Sequence, residues 1–308
     1  AYGNTVTSFN ASTDNITATT NLTGVVSGLS GGNVMNSAGD FVNGVANVTG
    51  QFTFTGTIGT GTATFTSASG KTGSANGDIV AGTATKLVVT GTGTQTAGGT
   101  QSITITAKDQ SGNTALTYTG DKSLTFSGAN SSSSPVTAPT VTDKNASAVN
   151  FGTATVITFS NGVATANLKL YKAESAVVST TDGSISSTGG DRLSVTVTEA
   201  SFSKLAVSLT SPQINGTAFI GTNTLTAQDA YGNTVTGFDA STNNVTVTNS
   251  LGGTVTGLGS GASNILNQAG DFTSGVANLT TDGITYTGAS GAGTFTFTPA
   301  SGTAATSG

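Results

Sequence analysis

Apolar and polar residues alternate in short runs along most of this chain. Ile103, Ile105 and Ala107 form one run, Leu225 and Ala227 a second, and Leu193, Val195 and Val197 a third. Phe295 and Phe297 form a fourth, with Phe65 at the matching place near the start. A period of two marks a strand with one face on a core and the other on water. Two runs stop at an Asp followed by a Gly-Asn pair: Ala107-Lys108-Asp109-Gln110-Ser111-Gly112-Asn113-Thr114 and Ala227-Gln228-Asp229-Ala230-Tyr231-Gly232-Asn233-Thr234. Ala1-Tyr2-Gly3-Asn4-Thr5 is the tail of a third copy. Gly and Asn tolerate positive φ, and the Asp carboxylate accepts hydrogen bonds from turn amides that would otherwise lack partners. The pattern therefore predicts strands that close into tight turns.

The turns set the frame of an internal repeat. Ala1 to Thr7 matches Ala230 to Thr236 at an offset of 229 (230 minus 1), and Gly44-Val45-Ala46-Asn47 equals Gly275-Val276-Ala277-Asn278. Residues 1 to 70 and 230 to 302 are thus two copies of one sequence, with small indels. Between them lies a divergent relative. It opens with Lys86-Leu87-Val88-Val89 where the last block opens with Lys204-Leu205-Ala206-Val207, and its Phe159-Ser160-Asn161-Gly162-Val163-Ala164 echoes Phe272 to Ala277. The reading is an all-β chain of three tandem β-sandwich blocks arranged end to end: 1–80, 86–200 and 204–308. Turn signals recur at the spacing of short sandwich strands, and the joining segments, Gly70 to Thr85 and Thr198 to Ser203, are short.

The first block starts just after the organising Asp, so it lacks a counterpart of Lys204 to Asp229, the first two strands of the last block. A sandwich without two strands has an open edge and an exposed core face. Either these residues are a window on a longer periodic polypeptide or a neighbouring chain supplies the strands. The Gly- and Ser-rich end favours the window, with sequence resembling Ser74 to Val89 expected beyond residue 308.

Composition narrows the function. Of the 308 residues 7% are charged and 44 are Gly, with no His, Cys or Trp. Without His or Cys there is no Ser-His-Asp or Cys-His centre and no ordinary zinc site, and no glycine-rich phosphate loop is present. The expectation is a protein that is not an enzyme and has no cofactor. A net charge of −5 offers no basic patch for nucleic acid. No apolar run approaches the ~20 residues that a membrane span needs.

The Lys-Leu-x-Val start, the Ala-x-Asp-x-x-Gly-Asn-Thr turn and the Gly-Val-Ala strand together resemble the tandem immunoglobulin-like repeats of large bacterial surface proteins, of the filamin-like and invasin-like kind. The resemblance covers nearly the whole chain. It implies an extracellular or cell-surface stalk, fibre or adhesin in which most repeats are spacers, with copies of itself or neighbouring repeats as partners, through strand complementation of the first block. The competing readings are a carbohydrate-binding or adhesive module and a surface-lattice protein.

Candidate chemistry is sparse. Asp109 and Asp229, beside Asn113 and Asn233, are the calcium candidates, but their carboxylates are spaced singly, which favours a capped turn over a cation site. Lys86 and Lys204 open their blocks at equivalent places, as in surface domains that join a strand Lys to an Asn side chain; nothing identifies the carboxylate such a bond needs. Glycan attachment sequons begin at Asn10, Asn15, Asn21, Asn47, Asn145, Asn215, Asn244 and Asn278. Tyr2 and Tyr231 stand in turns where a ring can stack on a sugar or pack on a neighbouring repeat.

Overall fold

The alternating runs are strands. Thr100–Lys108 is a nine-residue strand whose Gln101, Ile103, Ile105 and Ala107 are buried, and in Leu193–Thr198 every second residue is buried, starting with Leu193. The chain is nearly all β in the computed structural model, which describes residues 3–259 and 263–308. Tyr2 lies outside the described residues. By its internal packing the chain divides into two compact units, the first made of Ala1–Val88, Thr106–Gly120 and Thr158–Ala164, the second of Val89–Ile105, Asp121–Ile157 and Thr165–Gly308.

In the first unit, a four-stranded sheet runs Val34–Met35, Ile16–Thr20, Gly59–Ser67, Thr72–Ile79, and Gly24–Ser27 pairs with Thr53–Gly56 in a ribbon. Its buried core is small: Ala11, Ala18, Leu29 and Met35, with Phe9, Phe41, Val48 and Phe65 only partly covered. Thr72–Ile79 lies inside the stretch read from sequence as a joining segment. It pairs along the whole of Gly59–Ser67, yet nearly all its residues are exposed, so it carries no alternation to read.

In the second unit, residues 204 to 308 build a sheet ordered Lys204–Ser208, Thr224–Gln228, Val276–Asn278 and another ordered Ile265–Leu266, Val245–Asn249, Phe295–Pro299, Ala305–Thr306. Between them lies a continuous core that includes Leu205, Phe219, Leu225, Val247, Leu279 and Phe297. A four-residue helix, Leu279–Asp282, was not expected. Asn278 caps its start by accepting from Thr281 N, and Gly283 ends it in the left-handed region at φ 85°. Residues 86 to 198 contribute to both units and form two five-stranded sheets. In one of these, Thr94–Thr96 runs parallel to Leu193–Thr198.

One hairpin recurs in all three sequence blocks. Asn43-Gly44, Asn161-Gly162 and Ser274-Gly275 all have positive φ, which is the signature of a two-residue type I′ turn. A Cβ on Gly44 would lie 2.4 Å from the Val6 carbonyl oxygen, and one on Gly275 would lie 2.4 Å from that of Val235, so the backbone itself passes over the turn. Beside the turn an aromatic pair recurs as well: Phe9 with Phe41 at 4.7 Å, Tyr118 with Phe159 at 4.9 Å, and Phe238 with Phe272 at 4.7 Å.

Candidate functional site

The Asp and Gly-Asn turn is where distant segments converge. Asp229 is fully buried. Its Oδ1 accepts from Tyr231 N at 2.8 Å and Asn233 N at 2.9 Å; its Oδ2 accepts from Asn233 Nδ2 at 2.7 Å and from Ala200 N at 3.0 Å. Asn233, held by that carboxylate, reaches back across the junction between the middle and last blocks. Its Nδ2 donates to the Tyr171 carbonyl at 2.8 Å, and its Oδ1 accepts from Ala173 N at 2.8 Å. The turn is thus a clamp: the Asp gathers the N–H groups of its own loop and of the joining segment, and the Asn ties the loop to the preceding block.

The first unit holds the same device. Asp109 accepts from Ser111 N at 3.0 Å, Asn113 N at 2.8 Å, Gly82 N at 3.0 Å and Asn113 Nδ2 at 3.2 Å, and Asn113 Nδ2 donates to the Gly56 carbonyl at 3.0 Å. Gly82 stands four residues before Lys86, as Ala200 stands four before Lys204. Burial alone would raise the Asp109 pKa, but the donors from Gly82, Asn113 and Ser111 outweigh it and hold the carboxyl below its ordinary value. Glu199 strengthens the second clamp: its Oε1 accepts from Thr236 Oγ1 at 2.6 Å and Thr236 N at 3.1 Å. The hydroxyl's hydrogen bond, foremost, keeps its pKa low.

Chemically, such a site is an acceptor already filled. A carboxylate offers about four lone-pair positions, and at both Asp109 and Asp229 four N–H groups point into them. Protein donors therefore occupy the positions that a cation would need.

The remaining sequence candidates are scattered. The Lys204 ammonium donates to the Ser134 carbonyl and hydroxyl, not to an Asn side chain. Lys86 opens the strand Lys86–Thr90. The ring of half-buried Tyr231 lies 5.1 Å from that of Tyr171, and its hydroxyl end closes over Gly98, so this face is packed within the protein. Asn15, Asn21, Asn47, Asn145, Asn215, Asn244 and Asn278 are exposed and Asn10 is half-buried. Of these, Asn215 already commits its Nδ2 to the Gly288 carbonyl at 2.8 Å, and Asn10 Oδ1 accepts from Ser12 N at 2.9 Å.

Two polar residues escaped the sequence reading. Asn223 is fully buried; its side chain bonds Thr210 N, the Ile220 carbonyl and Thr280 Oγ1 and so fastens the entry to the strand Thr224–Gln228. Asp282 has Oδ2 buried with no hydrogen-bond partner among the described residues. Burial, reinforced by the Asp271 carboxylate, pushes its pKa up to about 6.

Two concavities stand out. One, of about 650 Å³, opens on the first unit between Phe9, Ile16, Phe41, Val45 and Phe65. The other, of about 600 Å³, lies in the second unit among Pro212, Asn215, Tyr286 and Phe295. There the Tyr286 hydroxyl is committed to the Ala289 carbonyl at 3.0 Å.

The chain matches no protein-family model. It also matches no curated protein. Among solved structures, domains 4–9 of the surface layer protein SbsC are 18% identical over 96% of this chain and 38% of that one, with a TM-score of 0.25. SbsC domains 4 and 5 are 19% identical over 65% and 77% respectively, with a TM-score of 0.23. A family 2 glycosyl hydrolase from Bacteroides cellulosilyticus is 15% identical over 46% of this chain and 20% of that one, with a TM-score of 0.26. The aligned part spans about a fifth of that hydrolase and well under half of the longer SbsC structure. At these scores the likenesses carry no weight for function. No described helix is long and apolar enough to cross a membrane.

Proposed function

We propose that this chain is a structural repeat segment of an extracellular filament, stalk or adhesin. In this reading it is a spacer built from immunoglobulin-like blocks and has no catalytic role. The observation that carries it is the duplicated clamp. At Asp109 and again at Asp229 the same two side chains join three pieces: their own turn, the joining segment at Gly82 or Ala200, and a carbonyl of the preceding block at Gly56 or Tyr171. A residue pair used identically at successive junctions fits a protein whose task is to hold a fixed spacing. A dedicated binding module concentrates its differences in one loop set, and these turns are alike instead. Low charge and a surface rich in Thr and Ser suit repeats that lie beside one another without strong repulsion.

The test is a pair of variants, Asn113→Ala and Asn233→Ala, which delete the bonds to Gly56 and Tyr171. Small-angle scattering of the intact chain should show a wider spread of dimensions for each, with circular dichroism and the buried cores unchanged. Scattering identical to that of the parent would remove the basis for the spacer reading. A glycan-array signal abolished by Tyr231→Ala would replace it with the adhesive one.

A further inference from the structure

The first and last blocks share their sequence but not their burial. In the last block Phe238, Phe272, Leu279 and Phe297 are between 0% and 8% exposed. Their counterparts Phe9, Phe41, Val48 and Phe65 are only partly covered, while Val42 and Val45 are 66% and 61% exposed. The difference goes with a difference in strand pairing. In the last block Thr224–Gln228 pairs with Val276–Asn278, setting Leu225 opposite Ala277, and Lys204–Ser208 then pairs with Thr224–Gln228. Phe202, just ahead, stacks on Phe238 at 4.5 Å. In the first block Val45 makes an isolated bridge to Val42, and Ala46 and Asn47 join no strand. The groove of about 650 Å³ lies there, with Lys71 to Gly73 along its rim. Those residues match Thr303 to Ala305, and Thr303 is where the last block receives Lys204 in a parallel bridge.

We propose that this groove is the seat of a two-stranded segment of the Phe202–Asp229 kind. The terminal Asp of that segment would meet the Gly3-Asn4 turn as Asp229 meets Gly232-Asn233 in the last block. The sequence positions required are all present. Val45 and Ala46 correspond to Val276 and Ala277, which meet Thr226 and Leu225, and Gly44 corresponds to Gly275, whose carbonyl accepts from Ala227 N. Asn4 holds the sequence place of Asn233, whose N–H and side chain bind Asp229. The occupant's chemistry follows from the walls: an aromatic for Phe9, a Leu on each strand for Phe41 and Phe65, and a terminal Asp for the turn. A second copy of these 308 residues is a poor donor, because its own Leu225 and Ala227 are fully buried and would have to leave their core. The proposal stands whether or not the chain is a spacer.

The experiment fuses a second copy of Ser201 to Asp229 directly ahead of Ala1 in the full chain and follows backbone amide exchange over residues 44 to 47. Exchange there should slow by about 100-fold or more as the region joins a core sheet, and the Leu225→Asp change made only in the added copy should abolish the slowing. Unchanged exchange in the fusion overturns the proposal. One further outcome also overturns it: concentration-dependent protection of the parent chain alone, which makes a second copy the occupant.

Discussion

Replacing Asp229 with Asn is the sharpest perturbation of the clamp, because it keeps the shape and reverses half the chemistry. Four N–H groups converge on the Asp229 carboxylate at 2.7 to 3.0 Å. An amide has one acceptor atom. Whichever way Asn is turned, its NH2 faces two N–H donors: Ala200 N and Asn233 Nδ2 on one side, or Tyr231 N and Asn233 N on the other. Two hydrogen bonds to a charged acceptor are lost, each contributing about 1.5–3 kcal/mol, and two buried donors are left unpaired. With partial relaxation the expected loss is about 4 kcal/mol. Urea denaturation measures the total, and amide exchange at Ala200, Tyr231 and Asn233 localises it. A loss under about 1 kcal/mol with Ala200 still protected would refute the clamp. So would a parent melting temperature that rises with calcium and a variant that no longer responds, since the carboxylate would then be holding an ion. Asp109→Asn should behave alike, with a pH signature. The folded-state pKa of Asp109 lies below its ordinary value, so its stabilisation is present above the unfolded pKa and is lost as pH falls through the folded one. The difference between parent and variant should therefore shrink only below about pH 4.

Two further substitutions test other parts of the reading. Asp282 has the opposite sign: its folded pKa, about 6, lies above the ordinary value, so the charged form costs the native state stability from about pH 4 upward, fully so above pH 6. A rise from the ordinary carboxylate value to about 6 corresponds to about 3 kcal/mol, which partial exposure to water reduces to about 1. Asp282→Asn should accordingly stabilise the last block by about 1 kcal/mol at pH 7, with the gain gone below about pH 4; thermal melts at the two pH values decide it, and a gain that persists in acid counts against the assignment. Ser274 holds φ 48° where the other blocks have Asn43 at 51° and Asn161 at 47°. Because Asn tolerates this region better than Ser, Ser274→Asn should raise stability by roughly 0.5–1 kcal/mol, and a neutral or negative change would show that the turn is not strained.

What could be read from the residues was what side chains encode locally. Ile103, Ile105 and Ala107 announce a half-buried strand because the period of two is written in their types. Asp109 and Asp229 announce a turn because a short carboxylate at a strand end has neighbouring amides to satisfy. Their long-range partners were illegible for a physical reason: Gly82, Ala200, Ala173, Tyr171 and Gly56 contribute backbone N–H and C=O groups, which every non-proline residue has, so no side chain marks them. Thr72–Ile79 escaped because both its faces meet water and nothing forces alternation. Asp282 stands in Thr281-Asp282-Gly283, a tripeptide that by itself signals only a turn. Its raised pKa depends on burial at the end of a four-residue helix and on Asp271, and neither is a property of that tripeptide.

The two matching blocks separate what a repeat encodes from what it borrows. The Asn43-Gly44 and Ser274-Gly275 turns, and the aromatic pairs beside them, form equally well in both, at φ values within a few degrees and ring separations of 4.7 Å. Those features need only residues within one block. Burial of the same side chains does not follow. Leu279 is fully buried only where Leu225 and Ala227 are present to complete the wall, and Val48 at the equivalent place is not. At about 25 cal/mol per Å² of apolar surface, covering the open core face of the first block with the proposed strand pair would add stabilisation in proportion to the area buried. The turn that follows such a pair carries the Asn that fastens the block to the one before it. The same segment would therefore close the core and fix the junction, and adding it should change both together.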